Sequence, residues 1–197
     1  MGSSINQVLL LIINTLGGLY IFTVLIRFLL QAARADFYNP VSQSIVKFSS
    51  PLLNPLHKII PGYKNFDFAA LILALLLNTL ATSLMILLAG FDLPDIGSII
   101  SWSFVGLIDF ILNIYFYGLL ISIIASWIAP YSGNPVLLLI HQLLEPITKK
   151  VHKVIPPMGG LDFSPIFVFI GIQAIEILLV QSLAQSLRLP PDFVIGI

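Results

Sequence analysis

The sequence predicts an all-α membrane protein, with four transmembrane helices arranged as two parallel repeats. Each repeat carries an amphipathic bent interfacial helix between its spans. Three observations predict this. Of 197 residues, 58% are hydrophobic and only 9% charged, and the mean hydropathy is +1.03, whereas a soluble domain is about a quarter charged. Four apolar stretches exceed the roughly 20 residues needed to cross a bilayer core. The chain also aligns with itself, without a gap, when slid by 95 residues.

The first span runs from about Ile5 to Leu30. It has no basic residue before it and no small-residue cleavage signal after it, so it reads as a retained span rather than a removed leader. The opening "MGSSIN" has Asn6 where a myristoylation signal needs Ser or Thr. Tyr20, Thr23, Arg27, Gln31 and Arg34 form a polar stripe at helical spacing, and its mates in the second copy include Tyr115, Ser122 and Ser126. Polar stripes mark packed faces, so the first spans of the two copies are expected to meet along them.

The next segment, "NPVSQSIVKFSSPLLNPLHKIIP", spaces Val41, Ile45, Phe48, Leu52, Leu56 and Ile59 by threes and fours. That is one apolar face of a helix. Pro51 cannot donate to the helical ladder, so two short helices bent at Pro51 are expected, lying in the headgroup plane. The second copy repeats the pattern with Val136, Ile140, Leu143, Ile147, Val151 and Val154 around Pro146. His141, Glu145 and Lys149 lie four apart on its polar face and read as a solvated face with helix-stabilising pairs.

The pairs His57-Lys58 and His152-Lys153, with Lys149 and Lys150, suit a helix C-terminus and anionic headgroups alike. They are the candidate contacts to lipid or to a partner. Asp67 and Asp162 precede the second span of each copy, where an Asp caps free backbone N–H groups. The second spans run from about Phe68 to Ala89 and from Phe163 to Leu187, and the third span of the chain from Ile99 to Ala129.

Eleven identities fall between Asn39–Ala70 and Asn134–Pro165, among them three prolines, a His-Lys pair and an Asp-Phe pair. The chain is therefore a duplicated unit, divided as 1–92 and 93–197. Two crossings per unit return the chain to its starting side, which makes the repeats parallel, unlike the inverted repeats of many transporters. Of nine Lys and Arg, Arg34, Lys47, Lys58, Lys64, Lys149, Lys150 and Lys153 lie in the two connectors, while the linker "GFDLPDIGS" has two Asp and no base. The positive-inside rule places the connectors in the cytoplasm and both termini outside, in a multi-pass inner membrane protein.

Ionisable groups within spans are functional candidates by default. Asp109 and Glu176, with Asn14, Asn78 and Gln173, fall at similar depth and are expected to form a polar belt in the outer half. It reads first as interhelical hydrogen bonding and alternatively as a cation path. Arg27, near the cytoplasmic end of its span, is expected to snorkel there.

The composition excludes much else. Without cysteine there are no disulfides, zinc thiolates or thiol nucleophiles. A net charge of zero argues against nucleic acid as a partner. No nucleophile elbow, HExxH or phosphate loop is present, so neither an enzyme nor a cofactor or metal is expected. A site built from His57 and His152 lacks a partner pattern. The expected partners are the bilayer, anionic lipids, another membrane protein or a second copy.

The two connectors, and above all "PMGGLDFSP" from Pro157 to Pro165, resemble the YggT family of bacterial inner-membrane proteins, related to the YlmG proteins. The first copy departs from that motif with "GYKNFDFAA". Trp127 fits a position where the family often carries Trp, and Ala32 stands in its place in the first copy. The resemblance implies links to osmotic or extracytoplasmic stress, potassium uptake under hyperosmotic conditions, and division or nucleoid distribution. For plastid relatives it implies cytochrome assembly or nucleoid partitioning. It supplies no catalytic residues.

Overall fold

The structure is a computed structural model that describes residues 4–129, 132–154 and 164–197. Six long helices are present among them. Four are spans: α1 (Ser4–Ala32), α3 (Phe68–Leu88), α4 (Ile96–Ile128) and α6 (Ser164–Ser186). Two are connector arms, α2 (Pro40–His57) and α5 (Pro135–Val154). At about 1.5 Å per residue, the 21 residues of α3 match a core of about 30 Å. The 33 residues of α4 exceed it, so α4 projects beyond the hydrocarbon or tilts within it.

The repeated Asn-Pro explains where each arm starts. Asn39 Oδ1 accepts from Val41 N at 2.9 Å, and Asn134 Oδ1 from Val136 N at 2.8 Å. Pro40 and Pro135 take the first helical position, where a missing N–H costs nothing. The two starts also touch: Asn39 Nδ2 donates to Pro135 O at 2.8 Å, and Asp36 N donates to Gln142 Oε1 at 2.9 Å. Both arms therefore sit at the same end of the bundle, as parallel repeats require.

Each arm is one continuous helix, not the two short helices expected. α2 runs through Pro51 and Pro55, and α5 through Pro146. Hydroxyl groups bond backbone carbonyls beside the interrupted turns. Ser49 Oγ donates to Ile45 O at 2.8 Å and Ser50 Oγ to Val46 O at 2.6 Å, just before Pro51. Thr148 Oγ1 reaches back across Pro146 to Leu144 O at 3.2 Å.

The apolar face of α2 is divided. Val41, Ile45 and Leu56 turn toward the core, while Phe48, Leu52 and Ile59 are exposed.

Arg27 does not simply snorkel. Its Nη1 donates to Ser49 Oγ at 2.9 Å, Ser50 Oγ at 3.2 Å and Val46 O at 3.4 Å. The stripe that begins at Tyr20 thus serves packing within its own repeat, because the acceptors Arg27 needs are on α2. The first spans meet on another face, where the Phe22 and Phe110 rings stack 6.3 Å apart.

α3 is the hub. It packs on α1, α2 and α4 through small buried residues such as Ala70, Ala74 and Ala81, which allow close approach. α6 packs on α4 and α5 alone among the described elements, leaving residues such as Leu178 exposed.

Two features of the half of the bundle away from the arms depart from regular spans. α1 contains a π-helical segment, Ile13–Gly17, and α6 another, Glu176–Gln181. Beyond α6 the chain turns at Arg188, whose φ is 51°, and passes through a short 3-10 turn, Pro191–Phe193. Residues 189–197 then fold back into the bundle, with Leu189, Val194 and Ile195 buried. Non-helical backbone at such depth must find partners within the protein, and it does. Ile195 O accepts from Asn78 Nδ2 at 3.1 Å, Gly196 O from Asn113 Nδ2 at 3.5 Å, and Leu187 O from Trp102 Nε1 at 3.0 Å. Gly106 makes the approach possible: a Cβ there would lie 2.5 Å from Val194 Cγ1 and 2.8 Å from Ile195 O.

Candidate functional site

The arms carry the basic candidates. Lys58, Lys149, Lys150 and Lys153 are exposed, as are Lys47 and Lys64. Lys149 Nζ lies 2.7 Å from Glu145 Oε1, an exposed pair one turn apart on the helix that contributes little in water. His141 Nδ1 faces Ser122 Oγ at 3.3 Å. His152 is half-buried near the end of α5.

His57 has a partner that the sequence did not announce. Its Nε2 lies 2.9 Å from each carboxylate oxygen of Asp67. Asp67 is 2% exposed and caps α3 by accepting from Ala70 N at 3.2 Å. One carboxylate therefore ties the end of α2 to the start of α3, across the turn in which Tyr63 and Phe66 exchange backbone hydrogen bonds. Asp162, the corresponding residue of the second copy, lies outside the described residues, as do Pro157 to Phe163 of the resembling motif.

The five outer polar residues are distributed over three settings. Asn78 is fully buried on α3, and its Nδ2 donates both to Ser103 O and to Ile195 O at 3.1 Å. Its Oδ1 has no hydrogen bond, and neither do Thr82 Oγ1 and Ser103 Oγ nearby on α3 and α4. Asp109 is 8% exposed and accepts from Asn113 Nδ2 at 3.1 Å. Gln173 Nε2 donates to Glu176 Oε2 at 3.0 Å on α6, and Glu176 interacts electrostatically with Asp109. Asn14, in the π-helical segment of α1, is exposed.

Asn78 and Asp109 thus join a network that also includes Asn113 and the returning backbone. The sequence reading did not single out Asn113, although its spacing of four from Asp109 on one helix was visible.

Comparison with known proteins decides the family. The model described as CCB3/YggT matches residues 6–88 and again 101–183, and the two matches start 95 residues apart. The chain belongs to this family. It is 42% identical over 187 residues to the uncharacterized protein PA0392 of Pseudomonas aeruginosa, covering 94% of this chain and 95% of the relative. A protein of Vibrio alginolyticus is 41% identical over 165 residues, covering 82% of this chain and 88% of the relative. YggT of Escherichia coli K12 is 32% identical over 168 residues, with coverages of 84% and 85%. No solved structure matches.

Proposed function

We propose that this YggT-family chain is a non-enzymatic protein of the bacterial inner membrane, acting in osmotic or extracytoplasmic stress response or in membrane organisation. The basic cytoplasmic faces of α2 and α5 engage anionic lipid or a membrane-protein partner. One observation carries the reading. Exposed lysines stand next to exposed apolar side chains on the first connector, Lys47 beside Phe48 on α2 and Lys58 beside Ile59 in the turn that follows it. Such a surface wedges apolar groups among acyl chains and holds cations at headgroup level, each worth about 1 kcal/mol near an anionic surface. Buried residues of the arms, Leu53 on α2 and Leu139, Leu143 and Leu144 on α5, pack on the spans and fix the height of this surface.

The test replaces Lys47, Lys58, Lys149, Lys150 and Lys153 by Gln in the full chain. Hyperosmotic growth of cells lacking the native protein is then compared, together with the anionic lipid that co-purifies. The reading expects both growth rescue and anionic-lipid retention to fall in the variant. Full rescue with unchanged lipid would overturn it.

A second reading, a small cation channel or transporter, draws support from the buried Asp109 network and from Glu176 in a π-helical segment, a feature frequent at functional sites. It requires potassium flux in reconstituted vesicles that is lost in Asp109→Asn and Glu176→Gln. The absence of flux with the unsubstituted chain eliminates it.

A further inference from the structure

We propose that an apolar crevice on the axis between the two repeats is a binding site for one phospholipid acyl chain. A cavity of about 380 Å³ opens between α1, α4 and the starts of both arms. Repeat mates face each other across it: Phe22 and Tyr117, Ile26 and Ile121, Val41 and Val136. The volume lies within the range of about 300 to 1,000 Å³ typical of small-molecule sites. Its one hydrogen-bonding amide, Asn113, already donates to Asp109 at 3.1 Å. Apart from the Tyr117 hydroxyl at the mouth the lining is almost entirely apolar, so an occupant gains little by being polar.

Three features select an acyl chain as that occupant. The walls are continuous with the lipid-facing surface, since Phe22, Tyr117, Ile121 and Val136 are 39%, 58%, 45% and 46% exposed. Hydrocarbon is thus the medium at the mouth. The size suits a single slender chain, since about 380 Å³ lies near the lower end of the roughly 300 to 1,000 Å³ of small-molecule sites. The charge suits a phospholipid in sign, because α2 carries exposed Lys47 about 9 Å along the helix from Val41 and has no carboxylate. An acidic headgroup beside α2 meets no like charge from that arm while its chain lies along Val41 and Ile26.

Duplication accounts for the crevice. The spans α1 and α4 meet at the Phe22–Phe110 stack, and the arms meet at Asn39 and Pro135. Two contacts at different levels leave a gap between them. Gly118 is part of its wall, and a Cβ there would lie 3.9 Å from Ile140 Cγ2, an ordinary contact. This site is separable from the surface reading of the arms, because fillers at Gly118 and Ile121 leave every arm lysine in place.

The experiment uses the full chain in vesicles of phosphatidylethanolamine and phosphatidylglycerol that include a phosphatidylglycerol with a diazirine in its acyl chain. Photolysis is followed by mapping of the adducts. The expected result is labelling concentrated on Ile26, Ile121 and Tyr117, about tenfold above exposed Leu178 and Phe104. Gly118→Trp and, as a milder filler at the mouth, Ile121→Trp should each return crevice labelling to the level of that outer surface. Labelling spread evenly over crevice and outer surface overturns the proposal. So does labelling unchanged by both fillers, or crevice residues joined to a second copy of the chain.

Discussion

Asp67 shows how much one side chain can hold. It is nearly inaccessible, it caps α3, it pairs with His57, and its charge is felt by Arg27. Asp67→Ala should cost about 2 to 3 kcal/mol, combining a lost cap with a buried charged hydrogen bond. Asp67→Asn retains an acceptor for Ala70 N and should lose only part of this. Unfolding of both variants in the same detergent measures the split: equal losses would refute a separate contribution of the cap, and no loss in Asp67→Asn would refute the role of His57. Asp95 offers the contrasting case, an exposed cap at the start of α4. The Ser98 hydroxyl and then the Ser98 N–H hold its carboxyl below the ordinary carboxylate value. A carboxyl with a lowered folded pKa stabilises fully above its unfolded value of about 3.9, and that stability is lost as pH falls through the folded value. The melting difference between the native chain and Asp95→Asn should therefore be constant near neutrality and change only below about pH 4. A difference that already varies at neutral pH would contradict this.

At the scale of elements, the returning segment 189–197 is the unusual one. It is seated on glycines: Gly106 faces Val194 and Ile195, and Gly17 and Gly18 face the Ile195 side chain. A side chain at position 106 cannot coexist with the segment in place. Gly106→Val should expel it, so that a cysteine placed at Ile195, buried in the native fold, reacts with a water-soluble maleimide. The chain has no other cysteine to confuse the readout. Asn78→Ala should act in the same direction by leaving Ile195 O and Ser103 O without their donor, at about 1 to 3 kcal/mol. Failure of both substitutions to increase reactivity would mean that the segment is held by something else. Spans and arms could be read from hydropathy and from threes and fours, because those patterns are local. The returning segment could not, since its seat is made of glycines on two other helices, 89 or more residues distant for Gly106 and further for α1. The His57–Asp67 pair escaped for a related reason: its members lie 10 residues apart across a turn and have no helical spacing to connect them. The π-helical segments likewise leave no periodic trace.

The whole molecule rests on two copies in one sense. The contact of Asn39 with Pro135 and of Asp36 with Gln142 places the two arm starts at one end of the bundle, whichever side of the membrane that end faces. Charge predicts the side, because moving seven basic residues across a bilayer opposes the positive-inside rule. Single cysteines test the two steps separately. Lys64→Cys and Lys150→Cys, both at exposed arm positions, should react from the same side as each other, and Asp95→Cys from the opposite side. Opposite reactivity of Lys64→Cys and Lys150→Cys would break the parallel arrangement. Shared reactivity from outside the cell would preserve the fold but reverse its orientation, and with it the assignment of the arm lysines to the cytoplasmic leaflet.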